Sequence, residues 1–160
     1  MEIDRPVPDE IEDLADLWVA LAREQRAHGT HIRPEVNRSR IAETLSRHAV
    51  TGEAFVARAN DEIVGFVTYE RTSESFETDV DRGVVQNLYV RPAYRGAGVG
   101  ASLLERAEAD LAADGADAVT VEAMAANEAA HRFYERNGYE RHRVSLEKRL
   151  EDENHSKDRG

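Results

Sequence analysis

The segment Arg95-Gly96-Ala97-Gly98-Val99-Gly100 carries the densest chemical signal in the chain. Before it, Val84, Val85, Leu88 and Val90 mark a strand closed by Pro92. After it, Val99, Leu103, Ala107 and Leu111 recur at every fourth position. The glycines therefore join a strand to a helix. At such a junction the first backbone N–H groups of the helix lack partners, and the helix dipole adds about half a positive charge. Glycine lets a phosphate come close to the backbone, and Arg95 can add charge-assisted hydrogen bonds. Three glycines at a helix start are costly for a plain turn, so an anion site is the favoured reading.

Several anion chemistries separate at this point. A triphosphate-binding loop needs Gly-Lys-Ser/Thr, and position 101 is Ala. A dinucleotide fingerprint needs G-x-G-x-x-G, whereas the spacing is G-x-G-x-G. Glu122 does stand about where a ribose-binding acid would, which keeps a dinucleotide-binding protein open as the lesser alternative. The chain has no cysteine, so thiolate catalysis and thiolate metal sites are excluded. Ser73, Ser75 and Ser102 lie in no nucleophile elbow, and the six histidines show no H-E-x-x-H spacing. No metal is expected.

The elements that position the loop follow from periodicity. Residues 2–7 read as a short first strand, and Asp9 with Glu12 as a capping box after Pro8. Ile11, Leu14, Trp18 and Leu21 predict an amphipathic helix over 9–26. Residues 28–34 read as a loop, and Val36, Ile41 and Leu45 suggest a second, more polar helix over 35–48. A hairpin follows, with strands 53–59 and 63–70 about the turn 60–62. The acidic stretch 71–82 reads as a loop before the strand that ends at Val90. The helix after the glycines stops at Asp114-Gly115. A strand over 119–123, a helix from Asn127 to Arg136 and a last strand over 139–148 complete the order β-α-α-β-β-β-α-β-α-β. That order predicts an α/β (α+β) fold: a mixed, mostly antiparallel central sheet with helices on both faces. Residues 1–150 are read as one domain and 151–160 as a disordered acidic tail.

Composition bounds the partners. Asp and Glu number 32 against 21 Lys and Arg, for a formal net charge of −11. Such a chain repels nucleic acid and anionic membrane. Lys148 and Lys157 are the only lysines. The acids spread along the whole chain, which favours a surface adapted to high salt, as in halophiles, over a face built for a cationic substrate. No apolar run is long enough to span a bilayer. Residues 1–8 carry Glu2 and Asp4 and are not read as a signal peptide, so a cytoplasmic location is expected.

Two motifs in order give a family resemblance. Arg95-x-x-Gly98-x-Gly100 after Gln86-Asn87-Leu88-Tyr89-Val90 resembles the coenzyme A pyrophosphate loop of the GNAT (Gcn5-related N-acetyltransferase) superfamily. Asn127-Glu128-Ala129-Ala130-His131-Arg132-Phe133-Tyr134, followed by Gly138-Tyr139, resembles that family's next motif. The likeness covers roughly 84–140, and residues 1–80 carry no motif of their own. It implies direct transfer of an acetyl group from acetyl-coenzyme A, as co-substrate, to a primary amine in a ternary complex. It assigns the pantetheine arm and acyl carbonyl to the backbone of Leu88, Tyr89 and Val90. The pyrophosphate falls to Arg95, Gly96, Ala97, Gly98, Val99 and Gly100. Asn127 would contact the pantetheine arm, although a plain helix cap explains it equally well. Ala130 and Phe133 would line the channel.

Tyr134 matches the family's general acid, which protonates the departing thiolate. Many relatives place a carboxylate on the strand before the loop, but Val84-Val85-Gln86-Asn87 has none. Glu122 is then the best acidic candidate for a general base, ahead of Glu70. A water chain at Gln86 and Asn87 is the alternative. His28 and His31 lie in the loop that walls the acceptor pocket in this fold. The acceptor would be a small-molecule or peptide amine, and the protein a monomer or homodimer. A non-catalytic acyl-coenzyme A sensor is the rival from another class, supported by the missing strand carboxylate.

Overall fold

The computed structural model describes residues 1–151. Five strands form one sheet in the order β1 (Glu2–Asp4), β2 (Ala54–Ala59), β3 (Glu62–Arg71), β4 (Arg82–Val90) and β5 (Ala118–Val121). All neighbours are antiparallel except β4 and β5, which are parallel. This is the mixed, mostly antiparallel sheet that the sequence predicts. The β2–β3 hairpin turns on Asn60 and Asp61, both with positive φ (53° and 66°), the backbone that a two-residue turn between twisted strands requires.

Helices α1 (Ile11–Arg26) and α2 (Arg38–Thr51) cover one face of the sheet. Leu14, Leu17, Trp18 and Leu21 of α1 pack there with Leu45 of α2, Val56, Phe66 and Tyr89. Helix α3 (Val99–Ala113) covers the other face. Its Val99, Leu103, Ala107 and Leu111 are buried against Ala57, Val64, Val67 and Val85, so the fourfold spacing is the core face. Helix α4 (Glu128–Arg136) leans on the same cluster through Phe133 and Tyr134. β3 is buried from Ile63 to Tyr69 because it is central and covered on both faces.

Four expectations fail, each for a physical reason. The strand expected over 139–148 does not form among the described residues, and Val144, Leu146 and Leu150 are 73, 91 and 90% exposed. Arg141, His142, Arg143, Glu147 and Lys148 interrupt the alternation, so the segment has little apolar surface to bury. Asp9 does not cap α1. Glu10 stands at the start of α1 but its side chain caps no amide of that helix; it reaches back to accept from the Val7 N–H at 2.9 Å, closing a short 3₁₀ turn at Pro8–Glu10. The first strand ends at Asp4, before Pro6. Val36 is 78% exposed in a 3₁₀ turn, so the core face of α2 begins at Ile41 instead. The tail lies outside the described residues beyond Glu151.

Candidate active site

The parallel pairing of β4 with β5 runs from Arg82↔Ala118 to Val85↔Val121 and stops. From Gln86 onward the edge of β4 that faces β5 is unpaired. Leu88, Tyr89 and Val90 remain tied to β3 through Val67, Phe66 and Gly65. The sheet therefore opens into a split whose β4 side presents an edge that no strand pairs among the described residues. The split is the frame that holds every other site residue.

At the wide end of the split stands the glycine loop. A 3₁₀ turn at Pro92–Tyr94 leads to Arg95, and Gly98 caps α3 with φ +86°. Gly96 has φ +81°. A Cβ at Gly96 or Gly98 would meet nothing within 4 Å, so these glycines serve the backbone angle and leave the loop open to solvent. Gly100 differs: a Cβ there would lie 3.3 Å from the Phe133 ring, where α3 and α4 pack together. Among the described residues the amides of Gly96, Ala97 and Gly98 donate to no partner. Val99 starts the helix and is itself buried.

Arg95 is already engaged. Its Nε donates to the Val90 carbonyl at 2.7 Å, and its Nη2 donates to both oxygens of Glu24 at 2.8 and 3.0 Å. The guanidinium stands 5.3 Å from the centre of the Tyr89 ring. Burial raises the Tyr89 phenol above its ordinary value, the negative charge of Glu24 adds to this, and Arg95 opposes it. Glu24, on the solvent side of α1, escapes sequence reasoning because only the fold brings it to the loop.

Across the split, α4 carries the second motif. Asn127 caps the helix, its Oδ1 accepting from the Ala130 N–H at 3.1 Å. The cap uses the oxygen and leaves Nδ2 without a partner among the described residues. Ala130 and Phe133 are half-buried, and Phe133 packs on the α3 cluster. The Tyr134 ring lies edge-on between Phe133 and Tyr139, at 5.2 and 5.7 Å. Burial pushes its phenol up to about 12. The Tyr134 hydroxyl makes no hydrogen bond among the described residues and is not sealed from solvent. It is a protonated donor with nothing yet to donate to.

The candidate bases sit apart from one another. Glu122 follows directly on the last paired residue of β5 and is exposed at the mouth of the split. Glu70 lies on β3 opposite Val84, 4.0 Å from Nε2 of His48. His31 is exposed and bound to Glu147 at 2.9 Å, so it ties the α1–α2 loop to the segment after α4. His28 caps the end of α1 through its backbone, donating to the Gln25 carbonyl at 2.9 Å. A Cβ at Gly29 would lie 3.6 Å from the Met124 methyl, so the loop 28–31 stands over the end of β5. His48 is the residue that sequence reasoning misses. It is 7% exposed and occupies the third position of the Ile41, Leu45, His48 stripe, whose spacing could have flagged it. Asn87 is held by its Nδ2 donating to Thr68 at 2.9 Å. Among the described residues no group of three or more His, Asp or Glu could hold a metal, and no helix is long and apolar enough to cross a membrane.

Comparison with known proteins agrees with this fold. The acetyltransferase (GNAT) family model matches residues 12–139. The chain belongs to the GNAT family, and so to an acyltransferase class whose members use an acyl-coenzyme A donor. A GCN5-related N-acetyltransferase from Ralstonia eutropha superposes with a TM-score of 0.74 at 22% identity, covering 93% of this chain and 97% of that one. A transcriptional regulator from Bacillus halodurans gives 0.72 at 20%, covering 93 and 99%. An aminoglycoside N-acetyltransferase solved in complex with CoA gives 0.72 at 14%, covering 93% of each chain. At these identities the likeness speaks for the fold. No curated protein matches the sequence.

Proposed function

We propose that this protein transfers an acetyl group from acetyl-coenzyme A to a primary amine by direct attack in a ternary complex. The observation that carries the reading is the split that begins at Gln86, with open amides at its wide end and a protonated Tyr134 on its far side. The amides of Gly96 to Gly100, with Arg95, suit a pyrophosphate. The free edge of Leu88 to Val90 suits an amide-bearing arm and an acyl carbonyl. A backbone N–H there would stabilise the oxyanion that forms when the amine attacks, and holding both reactants in one cleft removes most of the entropic barrier. Tyr134 would give its proton to the departing thiolate, since its raised phenol keeps that proton throughout the neutral range. Asn127 has an unused Nδ2 to offer the donor. The amine loses a proton to Glu122 or to water held near Gln86 and Asn87.

The acceptor reaches the split from the α1–α2 side. An aminoglycoside acetyltransferase shares the fold, and on that ground a polycationic amine leads the list of acceptors. The test is coenzyme A release from acetyl-coenzyme A with a panel of polyamines, aminoglycosides, amino acids and peptides with free N-termini. Turnover with any amine supports the reading. Tight coenzyme A binding without turnover on the whole panel would replace it with a binding-only role, for which the carboxylate-free strand β4 speaks. Thermal stabilisation by NAD but not by coenzyme A would replace both.

A further inference from the structure

Gln86 is the residue of β4 that neither neighbouring strand claims. On one side the register passes from Thr68↔Asn87 to Tyr69↔Val85, so Gln86 is the extra residue of a bulge. On the other side pairing with β5 has already ended at Val85. The residue is exposed at the vertex of the split, yet the end of its side chain is anchored. The amide lies 2.8 Å from Nε2 of His48, which is buried on α2.

The ring's other nitrogen decides what this contact means. Nδ1 of His48 lies 2.9 Å from the Thr44 carbonyl, which can only accept. Nδ1 therefore carries a proton. In the neutral ring Nε2 is then a bare acceptor, and it requires the NH2 end of Gln86. The Gln86 oxygen must turn away from the ring, to the exposed side of the amide. In the protonated ring Nε2 also donates, and it requires the oxygen of Gln86, the atom at 2.8 Å. The NH2 end is then the exposed one. A half-turn of the amide separates the two arrangements. Glu70 of β3, 4.0 Å from Nε2, is the charged group nearest the ring among the described residues; Thr44 of α2 and Gln86 of β4 supply its other polar contacts.

We propose that neutral His48 is a positioning residue for the acceptor: it turns the Gln86 carbonyl into the split, where that oxygen receives an N–H of the incoming amine. This rests on the amine-acetylating reading above and gives it a specific acceptor contact. Protonation of His48 reverses the amide and presents NH2 to a substrate that is itself a donor. The arrangement supplies, on a strand without a carboxylate, a neutral acceptor for the amine at the point where β4 and β5 part.

Two measurements test it. In the free full-length protein, nitrogen NMR of the His48 ring and the Gln86 side chain is followed from about pH 5 to 9. The expected result is Nδ1 protonated and Nε2 bare at the alkaline end, with the Gln86 amide resonances moving in step with the His48 titration. A neutral ring protonated at Nε2, or a Gln86 amide indifferent to that titration, overturns the proposal whether or not any amine is a substrate. The second measurement uses the best amine of the panel. His48→Phe should raise its KM about tenfold, the loss of one oriented hydrogen bond, with kcat and the KM for acetyl-coenzyme A little changed. Adding Gln86→Glu to that variant restores an oxygen acceptor and should recover most of the loss. An unchanged amine KM in His48→Phe, or no recovery in the double variant while its coenzyme A affinity is intact, also overturns the proposal.

Discussion

Arg95 and Glu24 are joined by a forked contact in which Nη2 reaches both carboxylate oxygens, at 2.8 and 3.0 Å. The pair links the end of α1 to the glycine loop, and both side chains are about two-fifths exposed (44 and 42%). If Arg95 serves a pyrophosphate, Glu24 competes with that anion for the same guanidinium. Removing the Glu24 charge should therefore strengthen coenzyme A binding. Calorimetry at low salt is expected to show Glu24→Gln binding about threefold tighter, and Arg95→Ala about tenfold weaker. Equal affinity in wild type and both variants would take Arg95 out of the anion site.

Tyr134 offers a sharper test, because its phenol is largely buried, unbonded among the described residues and kept protonated. Phe keeps the packing against Phe133 and Tyr139 and removes only the hydroxyl. Tyr134→Phe should lower kcat by about a hundredfold, the ordinary scale of general acid catalysis, and change coenzyme A affinity less than twofold. A kcat within a factor of two of wild type would leave the thiolate to be protonated by another group.

The parts of this site that sequence makes legible are local. The strand before Val90, the glycine loop, the cap at Asn127 and the spacing to Tyr134 are each written within one element or one turn. What escapes is set by contacts across the fold. Glu24 lies 71 positions from Arg95, and His48 lies 38 from Gln86, so no window of sequence contains either pair. The expected strand over 139–148 fails in the opposite direction: its alternation is only partial, strand formation depends on a neighbour and on buried area, and Val144 and Leu146 find neither among the described residues. Glu122 and Asn127 were both readable as residues, yet whether Asn127 caps or binds is decided by which of its amide atoms the helix uses.

Gly98 and Gly100 of the loop should respond differently to substitution. Gly98 has φ +86° and open space around it, so Gly98→Ala incurs backbone strain without a clash. It is expected to lose about 1 kcal/mol of stability. Gly100 has no such angle but faces Phe133 at 3.3 Å. Gly100→Val should push α4 away from α3, disturbing Phe133 and Tyr134 together, and lower kcat more than Gly98→Ala does. Denaturant melts and turnover measured on the same preparations separate the two effects. A Gly100→Val protein with full turnover would show that α4 tolerates the displacement.

Alkaline titration reports on three tyrosines at once. Burial raises the phenols of Tyr69, Tyr134 and Tyr139 above their ordinary value of 10.0, and the carboxylates of Asp110 and Glu108 raise Tyr69 and Tyr139 further. The folded state then keeps protons that the unfolded chain has released. Stability is therefore whole below about pH 10 and falls as pH rises from there through the folded values. Chemical melts should lose at least about 1 kcal/mol between pH 9.5 and 11. Tyr139→Phe should reduce that loss without abolishing it, because it removes the group bonded to Glu108 at 2.7 Å and leaves Tyr69 and Tyr134. A stability that does not change over this range would mean the three hydroxyls are as hydrated in the folded protein as in the unfolded one.

Salt distinguishes the two readings of the acidic surface, which we propose to be an adaptation to high ionic strength. A formal charge of −11 on 160 residues makes the folded chain repel itself at low salt. Screening shortens the range of that repulsion from about 10 Å at 0.1 M to about 3 Å at 1 M. The melting temperature should then rise by several degrees between those concentrations, and turnover should hold or increase. If the acids instead gather a cationic acceptor, the KM for a polyamine should climb steeply with salt while its KM for a neutral-bodied amine does not. A fall in melting temperature with salt would show that attractive pairs such as Arg58 with Glu10, 2.7 Å apart and only 16 and 15% exposed, outweigh the net repulsion.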